Sequence, residues 1–173
     1  VEALGTGATL RDVFNYTVTD ASLLSDTATL TIEIDGANDL PVLTGIAETA
    51  TVTEDVATRL DVLDLAGLAD ADSASVTLVL SVGEGILTLL GDAAADGITV
   101  SGNNSGTLTL SGVSATSLRG WLADNGVAYL TPANANGAVT TLTWSVGDES
   151  GAPVVAGTTQ IVAEAVDDAP VAD

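Results

Sequence analysis

The chain has 173 residues, 46% of them hydrophobic, and sets 24 acidic residues against three arginines with no lysine, for a net charge of −21. That charge excludes nucleic acid and anionic membrane surfaces as partners, since both would be repelled. The absence of cysteine and histidine excludes disulfides and thiolate sites and argues against zinc, which favours Cys and His ligands; no apolar run approaches a membrane span, so direct membrane insertion is not expected.

Taken from the start, Phe14-Asn15-Tyr16-Thr17-Val18-Thr19-Asp20 is an alternating strand with Phe14, Tyr16 and Val18 on one face. A second alternating strand follows, carrying Ala28, Leu30, Ile32 and Ile34. The linker Asn38-Asp39-Leu40-Pro41-Val42 closes this segment. Next come short strands over Thr49–Thr53 and Thr58–Leu63, separated by Glu54-Asp55. Ser75–Val82 alternates Val76, Leu78, Leu80 and Val82, and a Gly83-Glu84-Gly85 turn leads into Ile86–Leu90. Ile98–Ser101 and Thr107–Leu110 flank Gly102-Asn103-Asn104-Ser105-Gly106, which signals a hairpin. One short helix is predicted over Ser114–Ala123. Ser114 caps it, Leu118, Trp121 and Leu122 form its apolar face, and Asp124-Asn125-Gly126 stops it.

The end of the chain repeats its beginning. Leu142-Thr143-Trp144-Ser145-Val146-Gly147-Asp148 matches residues 14–20 at a shift of 128. Thr159, Ile161, Ala163 and Ala165 take the places of Ala28, Leu30, Ile32 and Ile34. The linker returns as Asp167-Asp168-Ala169-Pro170-Val171, from position 38 to 167, a shift of 129. The simplest organisation is the last part of one repeat over 1–41, a complete repeat over 42–169, and the start of a further linker over 170–173. Val1, with no preceding Met or signal sequence, reads as an internal piece of something longer. The fold class is all-β: an antiparallel sandwich with one short helix, preceded by the closing hairpin of the sandwich before it. A lone hairpin is marginal in water, so residues 1–41 require a cover.

Strand parity places the acids. In sandwiches joined end to end, the chain arrives at one pole and leaves at the other. The loop after the second strand, with Asp70-Ala71-Asp72, then lies at the arrival pole, as does Asp148 in the loop before the last strand. The linker brings Asn38 and Asp39 to that pole. Glu54 and Asp55 fall at the departure pole beside the linker residues Asp167 and Asp168, with Glu54 and Asp167 as the candidate ligands there. Without lysine to neutralise them, these side chains form an oxygen-only donor set suited to Ca2+, which takes six to eight oxygen ligands. Asp55, Asp61, Asp64, Asp92 and Asp96 read as solvated surface, and Asp20 as a ligand of the preceding junction.

These residues resemble two related families. Residues 14–20, 27–34 and Asn38-Asp39-Leu40-Pro41-Val42 resemble the closing hairpin of the VCBS and cadherin-like repeats of giant bacterial repeats-in-toxin (RTX) adhesins. Residues 42–169 resemble a cadherin-like repeat of the same proteins, through Thr53-Glu54-Asp55, Asp70-Ala71-Asp72, Gly106–Leu110, Asn134-Ala135-Asn136-Gly137 and Asp148-Glu149-Ser150-Gly151. The resemblance implies an immunoglobulin- or cadherin-like sandwich, calcium at the junctions, and ligand roles for Asn38, Asp39, Asp70, Asp72, Asp148 and Glu54. Leu40 stands where the cadherin linker carries a second Asn, and the Gly-Gly-x-Gly-x-Asp nonapeptide is absent.

The functional expectation is a calcium-binding extender repeat of an extracellular, cell-surface bacterial adhesin, serving adhesion or biofilm formation. Its partners would be neighbouring repeats, with homophilic or cell-surface contacts. No enzyme is expected, since the chain lacks His, Cys, a Gly-x-Ser-x-Gly elbow and a phosphate loop. The alternative is a carbohydrate- or ligand-binding module using Trp121, Trp144, Tyr16 and Tyr129.

Overall fold

A computed structural model describes residues 4–61 and 67–168. Asp64, the end of the expected Thr58–Leu63 strand, and the linker from Ala169 onward lie outside the described residues. The chain divides into two compact units, residues 1–39 and 40–173.

The first unit contains β1 (Thr9–Thr19) and β2 (Ser25–Asp35), paired antiparallel without interruption from Thr9↔Asp35 to Thr19↔Ser25. Asp20 shapes the turn, its Oδ1 accepting from the backbone N–H groups of Ser22 and Leu24 at 2.8 and 2.9 Å. Leu23 takes a positive φ of 64° there.

The second unit is an all-β sandwich with one short helix. Its strands are β3 (Val42–Thr44), β4 (Thr49–Thr53), β5 (Thr58–Arg59), β6 (Gly67–Ala69), β7 (Val76–Ser81), β8 (Ile86–Leu89), β9 (Thr99–Ser101), β10 (Thr107–Val113), β11 (Val127–Leu130), β12 (Gly137–Asp148) and β13 (Val154–Glu164). A six-stranded sheet runs β4-β13-β12-β7-β10-β9, a three-stranded sheet β5-β11-β8, and β3 pairs with β6. Among the described residues all pairings are antiparallel except β4 with β13, which is parallel over Thr49↔Gln160 to Thr53↔Glu164. The alternation Val76, Leu78, Leu80 puts each of these side chains inside, because successive strand residues face opposite sides. They join one core with Leu142, Trp144 and Ile161 of the same sheet and with Leu87 and Tyr129 of the other.

The helix α1 (Ala115–Asp124) closes this core with Leu118, Trp121 and Leu122. Ser114 is its N-cap, with Oγ accepting from Ser117 N at 3.2 Å, which satisfies one otherwise orphaned amide. Gly126, just beyond Asn125, has φ 87°. Arg59 reaches the same end, donating to the Ala123 and Asn125 carbonyls at 3.0 and 3.3 Å. A cation at a helix C-terminus complements the dipole.

Tyr129 is wholly buried, and its hydroxyl donates to the Glu84 carbonyl at 2.9 Å. Burial, and after it the Glu84 carboxylate, raises its phenol above the ordinary 10.0. The folded chain therefore holds this proton more tightly than the unfolded one. The associated stability is complete below about pH 10 and is lost as pH climbs toward the folded-state value. Tyr129→Phe is expected to remove that alkaline component, so that melting temperature falls less steeply above about pH 10 than in the parent. Parallel pH profiles for the two proteins would contradict this assignment.

Candidate metal centre

Among the described residues the second unit has one group of carboxylates that could hold a metal ion and, separately, an acidic loop whose side chains accept from backbone amides. The first is built where β4 turns toward β5. Glu54 continues β4, its N–H donating to the Glu164 carbonyl at 3.0 Å. This anchor holds the side chain inward, at 2% exposure. Glu54 Oε2 accepts from Val166 N at 3.1 Å, whereas Oε1 is buried with no hydrogen-bond partner. The chain then reverses through Asp55 at φ 57°, a conformation Asp tolerates better than most residues. Asp55 N donates to Thr131 Oγ1 at 3.4 Å, leaving its carboxylate outside.

Asp168 completes the group. The carboxylate oxygens of Glu54, Asp55 and Asp168 lie within 4.8 Å of one another, the first buried and the other two exposed. A buried carboxylate oxygen without a donor costs more than the ~1–3 kcal/mol of a neutral orphan. Two further carboxylates beside it add repulsion unless a cation intervenes. The cluster is therefore able to hold a metal ion, and an oxygen-only donor set suits hard cations.

The acidic loop precedes β7, and among the described residues its carboxylates do not form a metal-sized group with one another. Asp70 Oδ1 accepts from the amides of Asp72 and Ser73 at 3.1 and 2.7 Å. Asp70 Oδ2 and Ser73 Oγ are buried without partners. Asp148 is buried at the end of β12, opposite Val76 in the ladder, with Oδ1 accepting from Ser150 N at 2.7 Å. Glu149 ties the loop down by accepting from Ala74 N and Ser75 N at 3.3 and 3.4 Å.

The residues expected from sequence are thus distributed as follows. Glu54 sits in the carboxylate trio, and the linker residue that joins it is Asp168; Asp167 is exposed. Asp55, read as solvated surface, belongs to the trio. Asp70, Asp72 and Asp148 fall in the second unit, while Asn38 and Asp39 fall in the first, where Asn38 Nδ2 donates to the Asp39 carbonyl at 3.1 Å. Trp121, Trp144 and Tyr129 are core residues and Tyr16 is exposed, so three of the four aromatics offer no stacking surface. Among the described residues no helix is long and apolar enough to cross a membrane. No protein-family model, no curated protein and no solved structure matches this chain.

Proposed function

We propose that this chain is a non-catalytic, calcium-binding structural segment of an extracellular surface protein of the adhesin type, in which Ca2+ stiffens the points where successive sandwiches join. The observation that carries the reading is Glu54, whose Oε1 is buried and unpartnered and whose carboxylate groups with those of Asp55 and Asp168. Opposite ligands on a calcium ion with bonds of about 2.3–2.6 Å stand roughly 5 Å apart, and the 4.8 Å limit on this trio falls inside that span. Asp168 follows the last strand, so an ion held there ties the departing chain to the β4–β5 turn. Asp70, Asp72 and Asp148 are the proposed donors for a second ion.

The test is calorimetry of the chain in excess EDTA, in Mg2+ and in Ca2+. An ion at a hundred times its dissociation constant adds ~2.7 kcal/mol per site, or roughly 8–15 °C in melting temperature for a unit of this size. Small-angle scattering of a longer tandem chain is expected to report an extended form in Ca2+ and a bent one in EDTA. A melting temperature indifferent to about 10 mM Ca2+, far above the usual range of extracellular sites, would remove the proposal.

A further inference from the structure

The β1–β2 ribbon has one apolar face. Residues opposite each other in a ladder point the same way, so Leu10, Phe14, Tyr16 and Val18 share it with Leu30 and Ile32. These six side chains are 42–63% exposed. An isolated two-stranded ribbon is marginal in water, and a contiguous apolar patch of this kind marks an interaction surface.

The second unit indicates what belongs over it. In the first ribbon Asp12 pairs with Ile32, Phe14 with Leu30 and Tyr16 with Ala28. In the last hairpin Thr140 pairs with Ile161, Leu142 with Thr159 and Trp144 with Gly157. The two sets superimpose at shifts of 128 and 129, so Leu30, not Ala28, is the counterpart of Thr159. Beyond these three pairs β12–β13 shifts register twice while β1–β2 does not. The turns match as well, since Asp20 and Asp148 each use Oδ1 to hold the amide two residues on.

In the second unit this hairpin is covered. Leu142 and Trp144 are 0% and 1% exposed and share a core with the three-stranded sheet and α1. The free edge of β12 carries β7, antiparallel, and that of β13 carries β4, parallel.

We infer that β1–β2 is the closing hairpin of another sandwich of this kind, supplied by an adjoining repeat of the same polypeptide. That body lays a three-stranded sheet and helix over Phe14, Tyr16 and Leu30. It adds an antiparallel strand along β1 and a parallel strand along β2. A second copy of the present chain is a poor cover, because it would bring together two separate chains that each carry −21. The inference rests on the repeat organisation in the proposed function, but its test involves no cation, so the two can fail separately.

The test is a graft. Residues 137–165 of the full chain are replaced by a second copy of residues 9–36. The grafted chain is expected to melt cooperatively and to protect the copied Phe14, Tyr16 and Val18 amides from hydrogen exchange about 100-fold more than the original ribbon does. The double variant L142F/W144Y in the parent is expected to stay folded, since it places the same aromatics in the core. A graft that does not fold overturns the inference whether or not L142F/W144Y folds. So does exchange protection of residues 9–35 in the parent that grows with protein concentration, which would identify a second copy as the cover.

Discussion

Replacing Trp144 by alanine is expected to destabilise the second unit by about 3–5 kcal/mol. Trp144 is 1% exposed and lies on β12, between β13 and β7 in the larger sheet. Its truncation leaves a cavity in a core whose neighbours, strands held in ladders on both sides, collapse only partly into the gap. There is a polar component too. The indole Nε1 donates to Thr159 Oγ1 at 3.0 Å, and that hydroxyl donates to the Ala47 carbonyl at 2.7 Å. Thr159 is itself wholly buried. Trp144→Phe retains most of the volume and loses the N–H, so it is expected to cost less. Thr159→Val keeps shape but strands both an N–H and a carbonyl, at about 1–3 kcal/mol. Urea denaturation followed by the fluorescence of Trp121, or by circular dichroism, measures all three. With native stabilities of ~5–15 kcal/mol, the alanine variant moves the midpoint far; a loss under about 1 kcal/mol would show that the site relaxes freely.

Glu54→Gln should act in opposite directions with and without a divalent cation. In EDTA the substitution removes a buried charge whose Oε1 has no donor, while the side-chain carbonyl still accepts from Val166 N. The variant is expected to equal or exceed the parent's stability under those conditions, by up to ~2 kcal/mol. In Ca2+ the order reverses, because the amide contributes no charge to the site and the ~2.7 kcal/mol of ion-linked stability declines. Asp55→Asn and Asp168→Asn weaken the response less, since both carboxylates are exposed. Paired melts in EDTA and Ca2+ read the crossing directly. A Glu54→Gln variant that gains as much as the parent on adding Ca2+ would show that the ion binds elsewhere.

How much of the fold is legible in the sequence depends on whether each segment leaves a periodic trace. β7 alternates, with one face in the core and one outward, so Val76, Leu78 and Leu80 are legible as inward residues. α1 is legible through Ser114 and the 118, 121, 122 spacing. β11 is not, because Val127, Ala128 and Tyr129 are all buried, and a strand covered on both sides shows no alternation. β3 and β6 are three residues each, too short for any period. The parallel seam between β4 and β13 is equally hidden, since pairing between strands over a hundred residues apart has no local signature.

The candidate site shows the same division. Glu54 stands out because a carboxylate in a first turn is conspicuous. Asp168 cannot be told from Asp167, because an irregular linker gives no rule for which of two adjacent side chains approaches the Glu54 turn. Asp55 looks like ordinary turn chemistry, and only its left-handed backbone aims the carboxylate toward its neighbours. In the first unit the apolar face is legible from Phe14, Tyr16 and Val18, but its exposure is not, since alternation alone does not say whether a face is covered.

The side-by-side placement of β4 and β13 has a mechanical meaning. The two strands run in the same direction and are the first and last of the large sheet in chain order. A pull that drags the start of one away from the end of the other loads their ladder lengthwise. All the rungs then share the tension, instead of parting one by one as in an unzipped hairpin. Glu54 sits at the end of that seam, bonded through its backbone to Glu164 and through its carboxylate to Val166, so sliding of the two strands would have to break both contacts.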